Sequence, residues 1–203
     1  MGCGGIKSTN ASEDKVQVVF VVGGPGSGKG TQCQFIKDEL HYQHLSTGNI
    51  LRDIVAKKEH PKWEELNDLM TKGELVSSEL IIEFVKSFFK DYKGKKVLLD
   101  GFPRNEENVA EWEKQNMAEI ANVRAVLYFN CSPEEMKKRM AGRNEGRADD
   151  NEETMQKRIE IFEKETMPVV EKFRGKELIE IDAMKTKEEI FEEVKQKLKE
   201  KGM

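Results

Sequence analysis

A glycine-rich segment from Gly23 to Thr31 carries the strongest chemical signal in the sequence. It follows a continuous apolar run that ends at Val22, and a helical pattern begins at Gln32. Glycines let successive backbone N–H groups converge on phosphate oxygens, and a helix N-terminus adds positive potential at the same place. Lys29 would bring a mobile positive charge to the terminal phosphates. The spacing predicts a loop that holds a nucleotide polyphosphate, with the hydroxyl that usually follows the lysine displaced by one residue, to Thr31.

The arginines form a second candidate phosphate-binding group. The sequence holds only eight among 34 basic residues, and half of them lie between residues 139 and 158. Arginine grips phosphate through two-point contacts that lysine cannot make. A solvated helix face is the alternative interpretation. The four residues are Arg139, Arg143, Arg147 and Arg158.

The elements that must position these groups alternate along the chain. Short, continuous apolar runs predict strands that are covered on both faces, and helical patterns lie between them, so we expect a parallel sheet. The predicted strands are Val16 to Val22, Val97 to Leu99, Ala125 to Phe129 and Leu178 to Ile181, with a short fifth strand near His44 to Ser46. The fold class is therefore α/β, a P-loop NTPase-type parallel sheet of about five strands with helices on both faces.

Two helices are predicted in the C-terminal part of the sequence. One runs from Asn151 to Phe173, is capped by Asp150 or Asn151, and is kinked or ended early by Pro168. The other covers the apolar positions between residues 186 and 201. Residues 1–14 are small and polar and predict a flexible tail, so the folded part is expected to be a single domain over residues 15–203.

Length and composition exclude several classes of protein. The chain has 203 residues and a formal net charge of −4, which argues against a general nucleic-acid coat. The longest apolar run is far shorter than the roughly 20 residues of a membrane-spanning helix. Three widely spaced cysteines favour a reducing, cytoplasmic location. We expect a monomer without a nucleic-acid partner.

Four segments together resemble the adenylate kinase family of nucleoside monophosphate kinases, which phosphorylate a nucleoside monophosphate (NMP) at the expense of ATP. The first is the glycine-rich loop, and the others follow in the family's order at residues 45–52, 99–104 and 146–151, with Arg158. The resemblance implies an NMP-binding helical insertion at residues 46–78 and a short lid at residues 142–151. The lid is two residues shorter than in short-lid members, and no cysteine lies near it for a zinc-binding lid.

The resemblance also implies a role for individual residues. For ATP it implies contacts from Gly24, Pro25, Gly26, Ser27, Gly28, Lys29, Gly30, Thr31, Arg139 and Lys185. For the acceptor it implies contacts from Thr47, Arg52, Leu75, Val76, Gly101, Arg104, Asn105, Asn108, Arg147 and Arg158. The groups expected around the transferring phosphoryl group are Lys29, Arg139, Arg143, Arg147 and Arg158. Asp100 would hold the Mg²⁺ of MgATP through water.

The reaction itself asks for such groups. An acceptor phosphate with a second pKa of about 6 is largely ionised at neutral pH, so no general base is needed. The protein must instead bring two anionic phosphate groups together, which is a task for arginines and Mg²⁺.

The acceptor base is left between two possibilities. The stretch from Gly101 to Trp112, with Asn105 and Asn108, resembles UMP/CMP kinases, and a carboxamide that turns over could meet either cytosine or uracil. Thr47 is instead the residue typical of adenylate kinases. The longer matching stretch favours UMP or CMP over AMP.

Other interpretations are weaker. A P-loop switch would lack an Asn-Lys-x-Asp guanine-reading motif, and an acylated scaffold would rest on Gly2 and Cys3 alone, where Ile6 departs from the acylation pattern. Acylation of Gly2 and Cys3 would be the chain's only route to a membrane. His41, His44 and His60 show no partner group in the sequence and are expected to be surface or packing residues, and Cys33 and Cys131 to be buried.

Overall fold

The computed structural model describes residues 14–142 and 151–203. Five parallel strands form one sheet in the order β2-β3-β1-β4-β5. The strands are β1 Val16–Gly23, β2 Gln43–Ser46, β3 Lys96–Asp100, β4 Ala121–Asn130 and β5 Leu178–Asp182. All five predicted strands are confirmed, including the short one near His44.

The connections between the strands are mainly helical. The α-helices are α1 Lys29–Leu40, α2 Thr47–Lys57, α3 Trp63–Thr71, α4 Ser78–Phe89, α5 Glu106–Lys114, α6 Pro133–Ala141, α7 Glu152–Ile161, α8 Met167–Lys172 and α9 Lys187–Glu200. Short 3₁₀ turns at Lys90–Tyr92 and Met117–Glu119 precede β3 and β4. Among the described residues, no helix is long and apolar enough to cross a membrane.

The central strand β1 explains why the apolar runs are continuous. From Val18 to Val22 every side chain is buried, because β3 and β4 flank the strand and helices pack on the sheet. Three parallel strands, β1, β2 and β3, lie side by side and end at the same edge of the sheet. In open parallel sheets ligands bind at this carboxyl edge. The glycine-rich loop begins at this edge, and Asp100 ends β3 at the same edge.

An aromatic cluster anchors the turn that follows β3. The Phe102 ring lies 5.3 Å from that of Phe20 and 5.5 Å from that of Trp112, measured between centroids. Phe20 and Trp112 meet edge-on at 5.0 Å. Such pairs contribute roughly 0.5–1.5 kcal/mol each beyond burial. The cluster fixes the position of Gly101 and Arg104 on either side of Phe102, whose peptide bond to Pro103 is cis.

Side-chain caps set where the site helices begin. The Ser46 hydroxyl accepts a hydrogen bond from Asn49 N and caps α2, and the Asn105 amide oxygen accepts one from Asn108 N and caps α5. Asn151 caps α7 in the same way, which confirms one of the two predicted caps; the other, Asp150, lies outside the described residues. Caps of this kind are typically worth about 1 kcal/mol.

The predicted long helix after residue 151 contains a π turn. The helix runs through α7, widens over Phe162–Thr166, and continues as α8 to Lys172. Pro168 has no backbone N–H and its ring crowds the carbonyl four residues earlier, so the regular ladder cannot pass through it. The wider turn therefore accommodates the proline, and the helix does not end there.

Candidate active site

A single cleft of about 440 Å³ collects most of the predicted site residues at the carboxyl ends of β1, β2 and β3. Those that line it are Pro25, Gly26, Gly28, Lys29, Gly30, Thr31, Thr47, Arg52, Leu75, Val76, Asp100, Gly101, Arg104, Asn108 and Arg158. These residues are widely separated in the sequence and come from the first loop, the helices after β2, the turn after β3 and α7. The topology therefore brings residues predicted to bind ATP and residues predicted to bind the acceptor into one cleft.

Some predicted site residues lie elsewhere. Gly24 and Ser27 are buried inside the loop rather than on the cleft wall. The Arg139 guanidinium binds Glu135, with Nε 2.8 Å from Oε1, and the Lys185 ammonium binds Glu193 at 2.9 Å. Neither lines the cleft, and nor does Asn105. Arg143 and Arg147 lie outside the described residues.

The loop after β1 requires glycine at Gly26. Its φ of +77° lies in the left-handed region, and a Cβ there would stand 2.6 Å from the carbonyl oxygen of Met136. Side chains larger than hydrogen are excluded on both counts. The close approach of α6 therefore holds the loop against the sheet.

Lys29 begins α1 and is turned back onto its own loop. Its Nζ donates to the carbonyl oxygens of Gly23 and Gly24 at 2.6 and 2.8 Å. Burial lowers the pKa of Lys29 to about 8, reinforced by the positive charges of Arg104 and Arg158 and opposed by Asp100. A bound anion beside Lys29 would therefore stabilise its charged ammonium form.

Asp100 ends β3 inside the cleft and pairs with a histidine. His44 Nε2 lies 3.2 Å from Asp100 Oδ2, and both side chains are largely buried. Burial alone would raise the pKa of Asp100, but the hydrogen bond from His44 and the charges of Lys29 and Arg104 leave it below its usual value. The carboxylate is therefore ionised at neutral pH.

The expectation that His44 has no partner group is wrong. Its β2 position faces Leu98 in the parallel register, and Asp100 lies two residues farther along β3 on the same face. That diagonal spacing brings a histidine and a carboxylate together. The sequence alone does not indicate this pairing, because it depends on β2 and β3 being neighbours in the sheet.

Three arginines from three elements reach the cleft: Arg52 from α2, Arg104 from the turn after β3, and Arg158 from α7. Arg52 Nη2 donates to Asn49 Oδ1 at 2.6 Å, and Arg104 Nε donates to Gly101 O at 2.9 Å. Backbone and amide contacts of this kind orient the planar guanidinium groups. Their convergence gives the cleft the positive potential that several phosphates need.

The hydrogen of the Thr47 hydroxyl is already used in hydrogen bonds within the protein. Its Oγ1 lies 3.1 Å from Asp100 O and 3.2 Å from Gly101 O, so its single hydrogen is shared between these carbonyl groups. Only the oxygen lone pairs remain for a ligand. Thr47 can therefore accept a hydrogen bond in the cleft but has none to give.

Asn108 is held in one orientation by two hydrogen bonds, one of them buried and the other partly buried. Its Oδ1 accepts from the Arg104 backbone N–H at 2.9 Å, and its Nδ2 donates to Ser78 Oγ at 2.8 Å. Turning the amide over would set the N–H of Arg104 against the amide nitrogen and break this partly buried hydrogen bond, at a cost of about 1 kcal/mol or more. The idea of a carboxamide that turns over is therefore wrong for Asn108. Ser78 was missed because a serine at a helix start is ordinary.

The π turn contacts the same region from the other side. Thr166 Oγ1 donates to the carbonyl oxygen of Arg104 at 2.6 Å, and Asn105 Nδ2 lies 3.4 Å from Glu165 Oε2. Phe162 and Thr166 also line the cleft. The turn after β3 is thus clamped between α5 and the π turn.

Comparison with known proteins decides the family. The family model described as "Adenylate kinase" matches residues 21–178, which include the glycine-rich loop, the β3 turn and α7. The chain belongs to the adenylate kinase family. This membership confirms the family resemblance drawn from the four sequence segments and the α/β fold class.

Curated members of the family are similar over almost the whole chain. UMP-CMP kinase 3 of Arabidopsis thaliana is 42% identical over 193 residues, covering 95% of this chain and 94% of the relative. UMP-CMP kinase 3 of Oryza sativa subsp. japonica is also 42% identical, over 94% of this chain and 90% of the relative. UMP-CMP kinase of Xenopus laevis is 39% identical, over 89% of this chain and 97% of the relative.

Proposed function

We propose that this adenylate kinase family member is an ATP-dependent nucleoside monophosphate kinase that transfers the terminal phosphoryl group of MgATP to UMP or CMP. The products are ADP and the nucleoside diphosphate. The observation that carries the proposal is the convergence of Arg52, Arg104 and Arg158 with Lys29 around one cleft. A loop that binds one nucleotide needs no such second set of cations, whereas joining two phosphate groups does.

On the ATP side, the loop from Gly24 to Thr31 wraps the phosphates with its backbone N–H groups. Lys29 leaves the carbonyl groups of Gly23 and Gly24 and turns its ammonium to the terminal phosphates. Arg139 and Lys185, which do not line the cleft, contact ATP outside it. Arg143 and Arg147, which lie outside the described residues, are assigned to the transferring phosphoryl group as members of the lid at residues 142–151. The resemblance to the family supports these roles.

The donor set fits Mg²⁺. Asp100 offers a buried, ionised carboxylate at the floor of the cleft, and Mg²⁺ prefers oxygen ligands while retaining several waters. Asp100 would hold it through water, with His44 keeping the carboxylate in place. When bound, the ion neutralises charge on the phosphates.

On the acceptor side, Arg52, Arg104 and Arg158 bind the monophosphate, since guanidinium groups grip phosphate in two-point contacts. The helical insertion at residues 46–78 covers the nucleotide, with Leu75 and Val76 beside the base. Asn108 presents a carboxamide of fixed polarity to the base, and Asn105 acts through it by capping α5. Closure of the insertion and the lid excludes water and so protects ATP from hydrolysis.

The similarity to UMP-CMP kinases over nearly the full chain supports a pyrimidine acceptor. AMP is the second candidate, because Thr47 offers an acceptor that suits the amino group of adenine. Family membership also favours a kinase over a P-loop switch or an acylated scaffold. A cytoplasmic location and a monomeric state belong to the same proposal, and acylation of Gly2 and Cys3, outside the described residues, stays a prediction.

The proposal is tested by measuring ADP formation from MgATP with and without CMP or UMP. We expect turnover that depends on the added monophosphate, with nucleoside diphosphate formed in equal amount. Lys29→Met should abolish transfer and leave the circular dichroism spectrum unchanged, because the lysine acts on phosphate charge. ATP hydrolysis at the same rate without a monophosphate would overturn the assignment, and so would an active Lys29→Met variant.

A further inference from the structure

Three metal-binding side chains of different elements meet beneath the glycine-rich loop. Cys33 lies on α1, His44 on β2 and Asp100 at the end of β3. One ligand atom from each lies within 4.8 Å of the others, and the His44 and Asp100 atoms are already 3.2 Å apart. Cys33 is completely buried, so its thiol faces this cluster rather than solvent. In the proposed phosphoryl transfer Asp100 holds Mg²⁺ through water and His44 keeps that carboxylate in place, whereas Cys33 has no role.

We propose that Cys33, His44 and Asp100 form a binding site for a thiophilic divalent cation such as Zn²⁺, and that its occupation inhibits the enzyme. The site is chemically distinct from the Mg²⁺ position, because thiolate and imidazole ligands select Zn²⁺ whereas Mg²⁺ takes oxygen ligands and water.

The spacing of the three atoms is close to what zinc requires. Zinc bonds of roughly 2.0–2.3 Å in a tetrahedron place neighbouring ligand atoms roughly 3.3–3.8 Å apart. The contact between His44 and Asp100 is already near this range, and closing the cluster from its 4.8 Å limit asks for a shift of about 1 Å. Water from the cleft would complete the coordination, as it does in sites with three protein ligands.

Charge and protons balance in this site. The free cluster holds a neutral thiol, because burial raises the pKa of Cys33 well above its usual value, and a carboxylate that accepts the His44 hydrogen bond. On binding, the metal displaces the thiol proton to solvent, and the proton that His44 Nε2 donates to Asp100 moves to Nδ1 by exchange with solvent, which leaves the Nε2 lone pair free to ligate. Thiolate and carboxylate then neutralise the two charges of the cation.

Zinc binding would inhibit the enzyme because it changes the interactions of Asp100 and Lys29. Asp100 would be withdrawn from its water-mediated contact with Mg²⁺. Lys29 interacts electrostatically with both Asp100 and Cys33, and the loaded, neutral site would no longer attract the ammonium as the free carboxylate does. The nearby lysine charge also limits the affinity, so the site is expected to respond to metal excess rather than to hold a resident ion.

The direct test uses Co²⁺ as a spectroscopic substitute for Zn²⁺ on the full chain without nucleotide. We expect a near-ultraviolet thiolate-to-cobalt charge-transfer band that zinc removes. Cys33→Ala should abolish the band, whereas Cys131→Ala, at a second buried cysteine that is not one of the three ligands, and Cys3→Ala should keep it. A band that survives in Cys33→Ala, or no band in the wild type, overturns the proposal.

A second measurement does not depend on a variant that folds. X-ray absorption of the zinc-loaded wild type should show one sulfur ligand beside nitrogen and oxygen ligands, and a shell without sulfur contradicts the site. In kinase assays at fixed free Mg²⁺, we expect Cys33→Ala to tolerate at least about tenfold more free Zn²⁺ than Cys131→Ala, since even outer-shell partners change metal affinity about 10–100-fold. Equal sensitivity refutes the inhibitory role. The spectra report metal binding alone and are independent of the proposed acceptor.

Discussion

The protonation of Lys29 depends on its burial in the site and on the charges around it. Burial lowers its pKa to about 8, and bound phosphates would raise it again by stabilising the ammonium. MgATP binding above about pH 8 should therefore take up protons, and affinity should fall with rising pH by up to about tenfold per pH unit. Calorimetry in two buffers of different ionisation enthalpy measures the uptake. Lys29→Met should remove it, and pH-independent binding without uptake would contradict the account.

Thr47 can accept a hydrogen bond from the acceptor base through the remaining lone pairs of its Oγ1. Its hydrogen is used by the carbonyl groups of Asp100 and Gly101, so it suits exocyclic amino groups, which cytosine and adenine carry and uracil lacks. We expect Thr47→Ala to lower kcat/KM for CMP and AMP by about three- to tenfold relative to UMP. Thr47→Ser, which keeps the hydroxyl, should retain the wild-type ratio. An unchanged ratio in Thr47→Ala would show that Thr47 does not select the base.

At the scale of elements, the start of α4 is tied to the start of α5 by the hydrogen bond between Ser78 and Asn108. Ser78→Ala leaves a buried N–H of Asn108 unpaired, which costs about 1–3 kcal/mol and frees the carboxamide. We expect a lower Tm and a higher KM for the acceptor, with the KM for MgATP unchanged. Both are accessible by thermal unfolding and steady-state kinetics.

The neighbouring serine supplies the matched control. Ser77 is exposed and its side chain makes no cap hydrogen bond to α4, so Ser77→Ala removes the same atom without touching Asn108. Its Tm and kinetic constants should remain those of the wild type. Equal effects of the two substitutions would mean that the helix start, and not the link to α5, sets acceptor binding.

For the molecule as a whole, the elements and the phosphate loop could be predicted because their signals are local. Continuous apolar runs indicate strands that are buried on both faces, and the spacing of glycines and Lys29 indicates a loop before a helix. Asn151 was predictable as a cap by the same kind of short-range rule. Each of these depends on residues within one turn or one strand.

The remainder depends on which elements become neighbours. The pairing of His44 with Asp100 requires the register of β2 against β3, and the fixed amide of Asn108 requires α4 to pack on α5. Asn105 resembled a base-reading residue, yet its amide oxygen caps α5, a role that residues preceding a helix often take. Long-range contacts of this kind leave no mark in local sequence.

We expect the cleft to accept a pyrimidine monophosphate in preference to AMP. The most direct test measures kcat/KM for CMP, UMP, dCMP and AMP at fixed, saturating MgATP. A site that hydrogen-bonds the base discriminates against bases that leave its groups unpaired, so we expect CMP and UMP to exceed AMP by at least about tenfold. An AMP value equal to or above the pyrimidine values would refute the pyrimidine preference and assign the chain to ATP:AMP phosphoryl transfer.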